Sequence, residues 1–289
     1  MSNKYGRVLV LGASGMLGNA VMRFFAQSPN FEVVGSARSA VLKKHFSPNI
    51  AEKVIIGHDV NNPDHLVDLF NRARPDFVIN CVGLVKQLEQ AFDPLQTIPI
   101  NSLLPHRLAR LCEVVGARLV HISTDCIFSG TQGMYKEADA SDARDLYGRS
   151  KYLGEVDYKS AITLRTSIIG HELDGARSLV GWFLAQTGSV KGYKRAIFSG
   201  LPTVEIARVI HDHVIPHPEL HGLYHVSAEP INKFDLLTMV AQTYGKAIDI
   251  CADDQVVIDR SLDSTRFRQA TGFVPKPWPE LLRTMHDFG

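Results

Sequence analysis

The chain has 289 residues, 45% of them hydrophobic, and its 31 Lys+Arg against 30 Asp+Glu leave a formal net charge of +1. That is enough to build one large α/β domain or a domain with a smaller lobe. The near-cancelling charge removes any bulk electrostatic case for nucleic acid or an anionic membrane surface, and no apolar run approaches a membrane span in length.

The first apolar strand, Arg7 to Leu11, runs directly into Gly12-Ala13-Ser14-Gly15-Met16-Leu17-Gly18, and a helical pattern follows over Asn19 to Gln27. A strand, a glycine loop and a helix in that order aim free N–H groups and the positive end of a helix dipole at an anion. One glycine allows the tight turn, one the close approach of a pyrophosphate, and one the packing of helix on strand. Gly12, Ser14, Gly15, Met16, Leu17 and Gly18 are the expected contacts of a dinucleotide, although the spacing is G-x-x-G-x-x-G rather than G-x-G-x-x-G. The end of the second strand, Phe31 to Ser36, reads Gly35-Ser-Ala-Arg38-Ser39, followed by Lys43 and Lys44. An acidic residue at this place would bind the ribose hydroxyls of NAD, and none is present. Arg38 is suited to a 2′-phosphate, so NADP(H) is the expected cofactor.

A third strand spans Val54 to Asp59, with Asp59 and Val60 expected near the adenine; Pro63 then opens a helix over His65 to Arg74. A fourth strand covers Asp76 to Val82, and Asn101 is expected to cap a helix that runs to Val115 and stops at Gly116. The fifth and sixth strands are Arg118 to Ser123 and Ile162 to Ser167. Several of these strands are almost continuously apolar, as in a parallel sheet covered by helices on both faces. The fold class is therefore α/β, a doubly wound parallel sheet with its ligand at the carboxyl edge. Beyond Ser167 the alternation loosens among glycines, and Gly222-Leu-Tyr-His-Val226 reads as one more strand returning to the sheet. The expected division is a dinucleotide domain over 1–167 with 203–228 returning to it, and a smaller substrate lobe from 168–202 and 229–289.

Tyr147 and Lys151, four residues apart, project from one face of a helix. A lysine ammonium beside a phenol would lower the tyrosine pKa and make Tyr147 a general acid or base, while Lys151 could also reach a cofactor ribose. Thr124, at the end of the fifth strand, is placed to polarise a substrate carbonyl alongside Tyr147. Ser123 and Asp125 are equally suited to capping the turn that follows.

The glycine loop, the strand-end Ser-Thr and Tyr-x-x-x-Lys, in that order, resemble the extended short-chain dehydrogenase/reductases. Gly116-Ala-Arg-Leu-Val-His-Ile-Ser-Thr-Asp125, Phe128-Ser-Gly130, Tyr135-Lys-Glu137, Gly154-Glu155, Leu164-Arg-Thr-Ser167 and Gly200-Leu-Pro-Thr203 narrow this to a resemblance to the dTDP-4-dehydrorhamnose reductase branch. That resemblance implies reduction of the C4 ketone of a nucleotide-linked 6-deoxyhexulose by NADPH, with Thr124, Tyr147 and Lys151 as the catalytic triad. It also implies that Asn80, Cys81 and Gly83 face the cofactor and that Asn101 supports the site.

Two departures bear on the sugar. Cys126 and Ile168 stand where the rhamnose-forming enzymes have a tyrosine and a tryptophan. Losing two aromatic faces beside a sugar ring points to a different ring substituent or nucleotide, such as a UDP-linked 2-acetamido-2,6-dideoxy-hexulose. The segment Gly83-Leu-Val-Lys86-Gln87 also differs. Lys86 and Arg177 are candidates for the diphosphate, and Asp125, Cys126, Ile168, His171 and Glu172 for the sugar pocket. Trp182 and Phe183 read either as pocket or as core.

The cluster His211, His213, His217, His221 and His225 lacks metal-site spacing and is interrupted by prolines, so no metal is expected. Cys81, Cys112, Cys126 and Cys251 form no C-x-x-C pair, and Met1-Ser2-Asn3-Lys4 leads straight into a strand without room for a signal peptide. A cytoplasmic protein is expected, with a homodimer as the default assembly. Competing readings are an epimerase or dehydratase of the same superfamily that retains NAD, and a regulatory subunit that keeps the dinucleotide fold without turnover.

Overall fold

Six strands from the first 166 residues, joined by one from the last third of the chain, hydrogen-bond into a single parallel sheet. A computed structural model describes residues 6–86 and 89–289; Met1 to Lys4 and Gln87 lie outside the described residues. The sheet comprises β1 (Gly6–Leu11), β2 (Phe31–Ala37), β3 (Val54–Ile56), β4 (Phe77–Asn80), β5 (Arg118–Thr124), β6 (Ala161–Thr166) and β7 (Gly222–His225). Its seven strands lie in the order β7-β6-β5-β4-β1-β2-β3. Every residue of β5 and of β6 is buried. Alternation divides β1 between two cores. Val8 and Val10 pack with Met22, Phe25, Val33 and Ile79 on one face, and Leu9 and Leu11 with Leu66, Leu69, Val78 and Leu108 on the other. Chain order reverses between β1 and β4, so a crevice opens above their carboxyl ends. β7 pairs in parallel with β6, Tyr224 opposite Leu164.

Most strand ends differ from the sequence expectation by one or two residues, and three larger differences bear on the site. The first helix starts at Met16 rather than Asn19, because Gly15 is itself its N-cap. β3 ends at Ile56, where Gly57 turns the chain with φ +88, so Asp59 and Val60 fall in the turn before the helix Pro63–Ala73. Asn101 is not an N-cap. The helical path begins at Pro94, capped by Asp93, passes through a π segment over Ile98–Leu103, and continues as Leu104–Val115. The π turn arises among Pro99 and Pro105, with Leu104 N–H donating to Pro99 O. Pro105 has no N–H to offer the carbonyl of Asn101, and Gly154 approaches that carbonyl so closely that an added Cβ would lie 2.0 Å from it. Gly116 ends the helix in the left-handed conformation, as expected.

The remaining chain forms short strands around the carboxyl edge. Ile168–Ile169 pairs with Leu201–Pro202, and Ser189–Tyr193 with Asp249–Asp253. Ala196–Phe198 lies between Ile231–Asn232 and Ile258–Asp259. Helices Thr203–Val209, Lys233–Thr243 and Trp278–Phe288 complete this part. Among the described residues no helix is long and apolar enough to cross a membrane.

Candidate active site

The glycine loop is held by the neighbouring strand: Gly12 and Ala13 N–H both donate to Ser36 O, at 3.1 and 3.0 Å. Gly12 adopts φ +77, and a Cβ on Gly18 would lie 2.1 Å from Gly12 O, so the helix start is seated on the strand end. Met16 and Leu17 are the first helical residues, whose N–H groups have no partner within the helix. Gly15 is exposed and Ser14 and Met16 half-buried on the crevice side, whereas Leu17 and Gly18 are buried. Arg38 follows the end of β2 and is exposed. Asp59 is exposed, but its carboxylate already accepts the Asn61 N–H; Val60 is buried in the core.

Above β4, Asn80 turns inward. Its Oδ1 accepts from Val82 N–H and its Nδ2 lies 3.1 Å from His121 Nδ1. Cys81 C lies 3.2 Å from where a Gly12 Cβ would be, and burial pushes the Cys81 thiol up to about 12, against the pull of Lys151. Asn101 is the brace. It exchanges hydrogen bonds with the Leu84 backbone, both at 2.9 Å, and donates to Ser150 Oγ at 3.2 Å. It therefore ties the loop containing Gly83 to the helix Leu146–Leu153, which carries Tyr147 and Lys151.

That helix packs so closely on the turn after β5 that a Cβ on Gly148 would lie 2.3 Å from Cys126 O. Thr124 Oγ1 accepts Cys126 N–H at 3.1 Å, donates to Asp125 at 3.2 Å, and lies within hydrogen-bonding reach of the Tyr147 phenol. Lys151 is buried beneath, its Nζ donating to Ile122 O at 2.7 Å. Burial lowers its pKa to about 8, opposed by the Glu155 carboxylate and by Cys81. The phenol behaves differently from the sequence expectation. Burial, then Cys126, raises the Tyr147 pKa above the usual tyrosine range, and the Thr124 contact only partly reverses this. The other charges that act on it are Asp125 and Asp145, both of which raise it further. Tyr147 is thus a neutral phenol, a proton donor.

Beneath this turn lies a buried network of motif residues to which the sequence assigns no role. Glu155 accepts from Ser123 Oγ at 2.7 Å and from Arg165 Nε and Nη2 at 2.8 and 2.6 Å. Arg165 Nη1 donates to His225 Nε2 at 2.9 Å, and His225 Nδ1 donates to Tyr135 O at 3.0 Å, which defines a neutral imidazole. Burial and the Arg165 charge lower the His225 pKa to about 3. Tyr135 stacks on Phe128 at 4.0 Å, so the Phe128-Ser-Gly and Tyr135-Lys-Glu segments form the floor.

The turn also gathers cations. Lys86 Nζ lies 3.9 Å and Arg260 Nη1 3.6 Å from Cys126 Sγ. Buried Asp125 has its pKa raised by desolvation, against the pull of Arg260 foremost. Neither Arg260 nor Lys233, which shares this environment, was singled out from the sequence, and no local pattern marks them. Other candidates lie elsewhere. His171 Nε2 bonds Tyr244 Oη at 2.8 Å and borders Met285 and His286, against the C-terminal helix. Glu172 accepts the N–H groups of Arg177 and Ser178, and Arg177 is exposed in that loop. Ile168 packs on the main core, Phe183 is fully buried within it, and Trp182 is 39% exposed. The clustered histidines find separate partners: His211 packs edge-on against Phe24, Phe25 and Phe31, and His217 faces Glu219. Among the described residues no group of His, Cys, Asp and Glu is placed to hold a metal.

The family model described as RmlD substrate binding domain matches residues 6–287. The spore coat polysaccharide biosynthesis protein SpsK of Bacillus subtilis (strain 168) is 29% identical over 96% of this chain and 95% of its own. Methionine adenosyltransferase 2 subunit beta of Bos taurus is 32% identical over 52% of this chain and 41% of its own. Among solved structures, dTDP-4-dehydrorhamnose reductase from Bacillus anthracis str. Ames in complex with NADP superposes with TM-score 0.78 at 21% identity, covering 100% of this chain and 99% of that one.

Proposed function

We propose, for a chain that belongs to the RmlD substrate binding domain family, that it reduces the C4 ketone of a nucleotide-diphospho-4-keto-6-deoxy sugar with NADPH. The observation that carries this reading is the meeting of Thr124, the neutral Tyr147 phenol and buried Lys151 at the carboxyl edge of β5, facing the crevice that begins at the glycine loop. The loop suits a dinucleotide: the Gly18 approach and the helix start at Met16 leave a cradle in which an extra Cβ has no room. Arg38 at the end of β2, with no acidic residue beside it, suits the 2′-phosphate of NADP.

When bound, the nicotinamide supplies the hydride for the ketone carbon. Thr124 and Tyr147 hydroxyls polarise the ketone oxygen, and Tyr147 Oη gives its proton to that oxygen as the alcohol forms. Lys151, protonated below about 8, steadies the negative charge left on the phenol and is itself held by Ile122 O and Glu155. Residues 1–167 and 203–228 form the cofactor half in this reading, and 168–202 and 229–289 hold the sugar nucleotide. With Cys126 and Ile168 in place of aromatic residues, a UDP-linked 2-acetamido sugar is preferred over dTDP-4-dehydrorhamnose.

The similarity to a methionine adenosyltransferase subunit over half the chain favours, as a second reading, a cofactor-binding regulatory subunit. The test is NADPH oxidation with enzymatically prepared dTDP- and UDP-linked 4-keto-6-deoxy sugars, beside a Tyr147→Phe control that still binds NADPH. Turnover with one sugar, lost in the control, supports the reductase. Tight NADPH binding with no turnover of any sugar overturns it in favour of the regulatory reading.

A further inference from the structure

β4 and β5 run side by side, with Asn80 directly opposite His121 in the register of the sheet. Both side chains lie on the face covered by the helix Leu104–Val115, since Val78 and Leu119, two residues before each, pack with Leu104 and Leu108. His121 is fully buried. Asn80 Oδ1 is occupied by the Val82 N–H at 3.1 Å, so the group that Asn80 turns to His121 Nδ1, also at 3.1 Å, is its NH2. Nδ1 is therefore the acceptor, and the imidazole proton sits on Nε2, which is buried and has no partner among the described residues. Burial foremost, then the charges of Lys151 and His106, hold the His121 pKa well below the ordinary histidine value, so the ring stays neutral.

The segment that Asn80 holds is the one that borders the glycine loop. Cys81 N–H donates to Leu11 O at 3.1 Å, and a Cβ on Gly12 would lie 3.2 Å from Cys81 C and 3.1 Å from Val82 Cγ2. The far end of the segment is held at Leu84 by Asn101, the near end at Val82 by Asn80. Val82 and His121 are the partners that decide which way the Asn80 amide faces. A proton on Nδ1 instead of Nε2 would turn the amide over, giving Oδ1 to that proton and leaving the Val82 N–H against an NH2 group, one hydrogen bond poorer. An apolar residue at 121 would leave the amide NH2 without its acceptor.

We propose that His121 is a positioning residue for the dinucleotide: its Nδ1 lone pair orients the Asn80 amide, and the amide keeps Cys81 and Val82 seated against Gly12 in the loop conformation that takes NADPH. His121 is sealed from the crevice and acts through Asn80. The role rests on the dinucleotide site and not on turnover of a sugar.

NADPH affinity, read by quenching of protein fluorescence, tests this beside thermal melting for wild type, His121→Leu, His121→Asn, Asn80→Leu and the double variant with leucine at both positions. Leucine at 121 fills the site and removes both the acceptor and the unpartnered Nε2–H. It is expected to melt no lower than wild type yet to bind NADPH about tenfold more weakly, the worth of one hydrogen bond. Asparagine leaves a cavity and melts lower, yet its Oδ1 stands where Nδ1 stood and returns the affinity to near the wild-type value. A packing role alone would make affinity follow melting temperature, the opposite order. The double variant is expected to bind no more weakly than Asn80→Leu, because His121 acts through that amide. Wild-type affinity in His121→Leu, no recovery in His121→Asn, or losses that multiply in the double variant each overturn the role. Should His121→Leu not fold, His121→Ala, which equally lacks the acceptor, takes its place in the comparison with asparagine. A wild type that binds no NADPH overturns the dinucleotide site itself, and none of these outcomes bears on whether a sugar is reduced.

Discussion

Lys151→Met is expected to make the ligand-free protein more stable while destroying the catalytic group. The lysine is 5% exposed, and burial lowers its pKa from 10.5 to about 8 in spite of Glu155 and Cys81. At about 1.4 kcal/mol per pH unit, keeping the ammonium in the folded protein costs about 3 kcal/mol at neutral pH. Methionine has similar length and needs no solvation. It forfeits the bond to Ile122 O, a loss of about 1 kcal/mol. The net gain is about 2 kcal/mol, or a rise of about 4 °C in Tm. The sign follows from linkage. Native Lys151 is depressed below its unfolded value, so the destabilisation is complete below pH 8 and is relieved as pH rises from about 8 to 10.5. Urea unfolding of wild type and variant across pH 7 to 10.5 measures this: the variant leads at pH 7 and the lead closes toward pH 10.5. A variant less stable than wild type at pH 7, or a lead that stays constant with pH, would refute the desolvation argument. With NADPH added, wild type regains ground by the free energy of binding it, if Lys151 contributes to the cofactor site.

Glu155→Gln leaves the buried Arg165 guanidinium without its carboxylate and is expected to cost about 3–5 kcal/mol in urea unfolding, with much of the loss recovered when Arg165→Met is added. Gly18→Ala forces a methyl against the Gly12 carbonyl, and is expected to cost about 1–3 kcal/mol and to weaken NADPH binding, read by quenching of protein fluorescence. His225 is held neutral with a pKa near 3 against 6.5 unfolded, so its contribution is complete above pH 6.5 and is lost by about 1.4 kcal/mol per pH unit as pH falls toward 3. Urea midpoints measured from pH 7 to 4 test this, and a His225→Gln variant has the flatter acid limb.

What the sequence alone determined are features set by steric rules acting over a few residues. Apolar runs with strand periodicity became β1 to β6, Pro63 and Gly116 bounded their helices, and Tyr147 and Lys151 came to one helix face because four residues make about one turn. The Gly12 to Gly18 loop was legible for the same reason, since only glycine tolerates the backbone conformation and close approach found there. Helix interruption was not, because the π segment around Asn101 depends on Pro105, which offers the Asn101 carbonyl no N–H, and on the docked Gly154, which packs against that same carbonyl. Nor was the electrostatics. The sequence pairs Lys151 with Tyr147, yet the direction of the Tyr147 shift is decided by the amount of protein packed around the phenol, a quantity no spacing encodes. Arg260 meets Cys126 across 134 residues, and Arg165 meets His225 across 60. Such contacts exist only once the small sheet is pressed onto the turn after β5 and β7 joins β6, so the tertiary structure alone decides which charges share a site.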